Sequence, residues 1–413
     1  MMYLLNGFLG EKYQRVNKII DSYHSVQNNY INMEACCSYP FESVIDAQRY
    51  PIFTLPTEGV SGSRFFPAFE CIEDIDIYSE ELVRTLFDLD TNYNVTTQPH
   101  SGTQANQIVY NAVLSENDVV LSLSPKDGGH ISHNKISKNQ NKVINYHLTP
   151  EFEFNYDEIE ELTQKNKPKL IIVGASSYPL QIDYNRIALI AHKYNAFLLA
   201  DICHTALYVL GKTYPDVFPH ADFVTFTMDK TLRGPQGGIL IYKCEFSKLI
   251  AYSIFPISQG GPLQSLQFAK MIALVELSSI NLENYAKLVQ DNSKIICKKL
   301  VERNITVVTG TSNTHLILID VRALKTTGNL VESRFYENNV LVNKNLIPGD
   351  QTSPDITSGI RLGTVCISNL NYSNEDVTLL AEIIANILLN PAIQNEGIHY
   401  LVEKYHKTIN ISN

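Results

Sequence analysis

Between about residues 90 and 245 the chain alternates continuous apolar runs with amphipathic stretches, and no other feature restricts its fold as strongly. "DVVLSLS" and "KVINYHL" lead into the helix-patterned "YDEIEELTQKN". The strand-like "KLIIVGAS", the helix-like "NRIALIAHKYN", and the runs "AFLLADI", "DFVTFTM" and "GGILIYK" follow. A strand with one wet face alternates polar and apolar residues, whereas a strand covered on both faces reads as an unbroken apolar run. The pattern therefore predicts an α/β domain whose mostly parallel sheet is covered by helices. Residues 263–303 read as two long helices, the first of them, "LQSLQFAKMIALVELSS", apolar enough to be buried. "ITVVTG", "THLILIDV", the helix-like "NLVESRFYENN", "VLVNKN", "GIRLGT" and the helix "EDVTLLAEIIANILL" before Pro391 then suggest a smaller α+β domain. The resulting plan is an N-terminal arm or helical segment over 1–40, a large domain over 41–280 and a small domain over 281–413. The tail "GIHYLVEKYHKTINISN" carries no clear signal.

Composition narrows the function. A chain of 413 residues with 44% hydrophobic and 18% charged residues can bury the core that this plan needs. A formal charge of -10 argues against a general nucleic-acid binder, which needs a basic surface to neutralise phosphates. No apolar run approaches a membrane span, and the opening "MMYLLNGFLGEKYQRV" lacks the basic start of a signal peptide. Seven scattered cysteines, outside the spacings of zinc sites and disulfide frameworks, fit a reducing cytoplasm and no metal.

Four polar clusters fall where strands of the expected sheet end, and open α/β sheets bind ligands beyond the carboxyl ends of their strands. In "QPHSGTQAN", Ser101, Gly102 and Thr103 precede a helix-like stretch and can offer N–H groups and hydroxyls to a phosphate. "ADICH" places Asp201 and His204 at the end of "AFLLA", where a carboxylate is costly to bury without a cation. "TFTMDKTLRGPQGG" ends a strand at Lys230, and "DGGHISH" lets the backbone approach a ligand with His130 free to stack on a flat ring. Each piece alone has an ordinary structural reading: a solvated lysine, a helix cap, a packed histidine. Together, an amine, a strand-end carboxylate, a phosphate cradle and a stacking imidazole describe a pyridoxal phosphate site.

Seven blocks, "TTQPHSGTQAN", "DGGHISH", "ADICHTALYVLG", "DKTLRGPQGG", "FPISQGGP", "VNKNLIPGD" and "SGIRLGT", occur in an order that resembles the serine hydroxymethyltransferase superfamily. The resemblance implies a fold type I pyridoxal phosphate transferase, in which residues 41–280 form the cofactor-binding domain. It implies Lys230 as the Schiff-base lysine and Asp201 as partner of the pyridine nitrogen. His130 would stack on the ring, and Ser101, Gly102, Thr103, Ser176 and Thr227 would surround the cofactor. His204 would meet the phenolic oxygen or the substrate hydroxyl, and Arg361 would clamp the substrate carboxylate. Glu58 would handle protons, while Gly260 and Gly261 would reach the phosphate of a second subunit. An obligate homodimer with shared sites follows from the resemblance.

Departures from the family concentrate around the substrate. Pro56, Phe65 and Phe66 stand where the family has tyrosines, and a phenyl ring cannot replace a hydroxyl that bonds developing charge. Cys36 and Cys37 replace a serine and a glutamate beside the carboxylate, Asp229 precedes the lysine in place of histidine, and Gln236 replaces an arginine. Asn345 still matches a pterin contact, whereas Pro125 and Lys126 stand where the family offers apolar folate contacts. The expected enzyme therefore acts at the α-carbon of a small amino acid, by aldol-type cleavage or transfer involving glycine, serine or a β-hydroxy amino acid. It is expected to be specialised and to work without folate. Ordinary folate-dependent interconversion of serine and glycine is the alternative. Racemisation, decarboxylation, β-replacement or a non-catalytic cofactor-binding role also remain open.

Overall fold

The computed structural model describes residues 11–54, 57–66, 70–136, 142–390 and 396–406. The opening ten residues and Pro56 lie outside this set. The expected large sheet is present with seven strands: β1 (Tyr93–Thr96), β2 (Val119–Leu123), β3 (Lys142–Tyr146), β4 (Leu170–Val173), β5 (Phe197–Asp201), β6 (Phe223–Thr227) and β7 (Gly238–Lys243). Their spatial order is β1-β7-β6-β5-β4-β2-β3. Strand β7 runs antiparallel to both neighbours, β1 and β6, and the other recorded pairings are parallel.

Both faces of this sheet are covered, as the unbroken apolar runs require. Ile171 and Val173 of β4 pack into one core with Leu198, Ala200, Val224 and Phe226. Their sequence neighbours Leu170 and Ile172 pack into a second core on the opposite face with Leu199 and Phe223. That alternation is the two-residue period of a strand buried twice over. Helices start where a side chain can satisfy a free backbone N–H. Ser101 accepts from Gln104 N at 3.1 Å to open Gly102–Val113, and Asp183 accepts from Arg186 N at 3.0 Å to open Tyr184–Lys193.

A second sheet, all antiparallel, joins β8 (Thr306–Val307), β9 (Leu316–Asp320), β10 (Asn343–Asn345) and β11 (Gly359–Gly363) in the order β8-β9-β11-β10. "VLVNKN" is not one strand, as the sequence suggests, but two. Val340–Leu341 pairs in parallel with Ile31–Asn32, and the chain then crosses to β10. Ile31 and Met33 are wholly buried in the core of this second unit, so the end of the N-terminal arm packs with the C-terminal part of the chain. The helix Leu282–Glu302 spans the two units, with Ala286 and Val289 in the large core and Ile296, Cys297 and Leu300 in the small one. The tail is also ordered where described, as the helix Glu396–Tyr405. No described helix is long and apolar enough to cross a membrane.

Lys270 lies inside the apolar helix Gln264–Ser279 and is 1% exposed. Its ammonium donates to Thr97 O, to Pro99 O at 3.3 Å and to Gly238 O at 3.5 Å. These carbonyls hold the turn between β1 and Ser101 against the start of β7. Burial alone lowers the amine from its ordinary 10.5 to about 7. A lysine that loses its proton more readily when folded makes its stabilising contribution above its unfolded value and loses it as pH falls through about 7. Thermal unfolding of the protein should therefore gain more between pH 7 and 10 than that of Lys270→Met. Identical pH slopes in the two proteins would remove this account of Lys270.

Candidate active site

Five strands deliver residues to one edge of the large sheet. The turn after β1 brings Ser101, Gly102 and Thr103. The turn after β2 brings His130 and His133, and that after β4 brings Ala175 and Ser176. The turn after β5 brings Asp201, Cys203 and His204, and that after β6 brings Asp229 and Lys230. Because β7 is antiparallel it begins at this same edge, and Gln236 just before it completes the wall. Together with Thr227 and Asn106 these residues line a cavity of about 200 Å³.

Asp201 is the electrostatic floor, with a side-chain exposure of 10%. One carboxylate oxygen accepts from Asn106 Nδ2 at 2.8 Å and His133 Nε2 at 2.9 Å, and the other accepts from Cys203 N at 3.1 Å. Burial pushes the carboxyl up, but His133, the Cys203 side chain and Asn106 outweigh it and hold it well below the usual carboxylate range. Asp201 is therefore an anion facing the cavity. Asn106 is oriented in turn by Thr225, whose hydroxyl donates to Asn106 Oδ1 at 2.6 Å. Sequence reading missed both supports. The second histidine of "DGGHISH", three residues after His130, was the available sign of His133.

Lys230 Nζ lies 3.1 Å from His204 Nε2. Asp229 is turned to the Thr227 hydroxyl, which donates to its carboxylate and lies 3.0 Å from Gly237 O. Burial pushes His204 well below its ordinary value, so the ring is neutral. Burial and the neighbouring His133 also bring His130 down to about 4. The His130 Nδ1 lies 2.6 Å from the Ser132 hydroxyl. At the opposite wall Gly102 opens its helix so closely that a Cβ there would lie 2.7 Å from Cys203 Sγ.

The remaining sequence-derived residues form two further groups. Arg361 on β11 donates to Ser176 O at 2.6 Å and to Asn343 Oδ1 at 3.0 Å, which brings a half-buried guanidinium to the cavity's rim. Asn345 Nδ2 donates to Ser177 Oγ at 3.1 Å beside it. The Cys37 thiol, against the opposing effect of burial and with help from Arg361, pulls Cys36 down to about 6. The sequence shows no metal-ligand spacing, yet Glu34, Cys36 and Cys37 bring donor atoms within 4.8 Å of one another. Glu58, Gly260, Gly261, Phe65 and Phe66 do not line the cavity of their own chain. Gly59 N donates to Gly260 O at 3.4 Å, Phe65 N donates to Glu58 O at 2.9 Å, and the Phe65 ring packs 5.1 Å from Phe255. This group lies at the surface, with Glu58, Phe65 and Phe66 exposed.

The donor set fits pyridoxal 5'-phosphate. It offers an amine for an aldehyde, a buried anion for a protonated ring nitrogen, and a helix start with a hydroxyl on each side of a glycine for a phosphate. Comparison with known proteins agrees. A family model described as serine hydroxymethyltransferase matches residues 9–384. A serine hydroxymethyltransferase of Bordetella avium is 38% identical over 368 residues, covering 88% of this chain and 88% of that protein. One from Methylobacillus flagellatus is 36% identical over 94% of this chain and 95% of its own length. One from Paracidovorax citrulli is 34% identical over 98% and 99%.

The crowding at Gly102 makes a direct test of the cradle. Gly102→Ala should lower stability by about 1–3 kcal/mol through overpacking against Cys203. Adding Cys203→Ala should restore most of the loss in thermal unfolding, and a double variant no more stable than the single one would contradict the contact.

Proposed function

The chain belongs to the serine hydroxymethyltransferase family of pyridoxal phosphate-dependent transferases, and from that premise we propose that it acts at the α-carbon of a small amino acid without folate. The reaction we assign is aldol-type cleavage or transfer involving glycine, serine or a β-hydroxy amino acid. The observation that carries this reading is one cavity holding the Lys230 amine, the Asp201 anion and the Ser101–Thr103 helix start, while exposed Phe65 and Phe66 offer no hydroxyl.

Bound pyridoxal phosphate supplies an aldehyde that condenses with amines and a ring that accepts electrons from the substrate α-carbon. The chain does the rest. Lys230 would hold the cofactor through its amine. Asp201 keeps a proton on the ring nitrogen, and neutral His130 offers a flat face. Ser101, Gly102 and Thr103, with Ser176 and Thr227, receive the cofactor's polar groups. Arg361, whose hydrogen-bond partners here are neutral, orients the substrate carboxylate beside Cys36. His204 moves or holds a proton next to Lys230.

Glu58, Gly260 and Gly261 sit together on the surface, away from their own cavity, which supports a homodimer in which each subunit completes the other's site. Seven free thiols suit a reducing cytoplasm. Folate-dependent serine–glycine interconversion is the second reading, supported by the place of Asn345 beside Ser177 at the cavity rim.

Two measurements test these readings. Lys230→Ala should lose the borohydride-reducible link to the cofactor, and a link surviving in that variant would overturn its assignment. Purified, cofactor-loaded protein should form glycine from serine or a β-hydroxy amino acid at a rate that tetrahydrofolate leaves unchanged. Strong dependence on tetrahydrofolate would replace the folate-independent reading with the second one.

A further inference from the structure

Behind His204 lies a buried polar chain that neither the sequence nor the proposed reaction accounts for. His204 is 3% exposed, and His315 and Tyr208 are wholly buried. His315 Nε2 lies 3.0 Å from Ala35 O and 3.3 Å from His204 Nδ1. Its Nδ1 lies 2.9 Å from the Tyr208 hydroxyl. The two imidazoles are nearly parallel, with planes 12° apart. Burial holds His315 down at about 3, so both rings are neutral and each carries one N–H.

The positions of these protons follow from hydrogen-bond logic. A backbone carbonyl only accepts, so the His315 proton resides on Nε2, facing Ala35 O and His204 Nδ1. His315 Nδ1 is then bare, and the Tyr208 hydroxyl donates to it. His204 Nδ1 faces an N–H and must accept, which leaves the His204 proton on Nε2, pointed at Lys230 Nζ. An ammonium there would oppose N–H to N–H. A neutral amine offers its lone pair.

We propose that His315 and Tyr208 are positioning residues that fix the tautomer of His204, so that its Nε2–H holds Lys230 as the free amine able to attack an aldehyde. This rests on the reading of Lys230 as the cofactor lysine. The relay begins at Ala35, next to Cys36, and ends at the amine. It thereby connects the carboxylate-binding corner to the nucleophile through one hydrogen-bonded path. The other charged or titratable groups facing this path are Arg361, His130, Asp201, Cys203, Cys36 and Asp229, with Tyr285 behind Tyr208.

The test has two arms. In the full-length protein carrying 15N-labelled histidine, ring-nitrogen shifts should show His204 and His315 neutral and protonated on Nε2. A His204 protonated on Nδ1, or on both nitrogens, would overturn the relay. In the second arm, the rate at which the cofactor-free chain captures added pyridoxal phosphate is followed against pH. Tyr208→Phe and His315→Leu should move the acid limb of that profile upward by about one pH unit, or roughly tenfold in rate on the limb. His315→Gln, which keeps an N–H within reach of Ala35 O, should stay close to the parent. An unmoved limb in folded His315→Leu would also overturn the proposal. Failure of the unsubstituted protein to capture the cofactor would strike the functional reading instead, and the nitrogen shifts would still decide the relay.

Discussion

The carboxylate of Asp201 organises the ligand edge of this protein. An anion so nearly removed from water must be met by donors, and each donor comes from a different piece of chain: Asn106 from the helix after β1, His133 from the turn after β2, and the Cys203 amide from the turn after β5. Thr225, which lies opposite Asp201 in the β5–β6 register, fixes Asn106 and brings β6 into the same network. Four strand ends are thus held in register by one charge. Lys230, three residues beyond the end of β6, inherits its position from that arrangement.

The network also separates two tasks by polarity. Around Asp201 the donors converge on the carboxylate and the charge is kept. Around His204 the surroundings are buried and the rings are kept neutral. An anion on one side of the cavity and a neutral imidazole on the other set two different electrostatic environments within one site.

Much of this was legible in the sequence because it obeys short periods. The unbroken runs at β4 and β5 announce a sheet buried on both faces, and the strand-end clusters holding Asp201, Lys230 and Ser101–Thr103 follow from where such sheets bind ligands. What escaped depends on contacts that no local pattern encodes. His315 is separated from His204 by 111 residues and opens a strand that reads only as apolar. Lys270 sits within a helix whose apolar character hides that its one amine serves three carbonyls. The split of "VLVNKN" escaped because its first half pairs with Ile31–Asn32, a partner from the far end of the chain.

The antiparallel setting of β7 has a mechanical corollary. The segment between β6 and β7 both leaves from and returns to the ligand edge, and it is tied at its neck by Met228 N to Gly237 O at 3.0 Å and Gly234 N to Met228 O at 2.8 Å. The backbone under Lys230 is therefore clamped from both directions. The lysine can change partners only by swinging its flexible methylene arm, a rotamer-scale movement that leaves the loop in place.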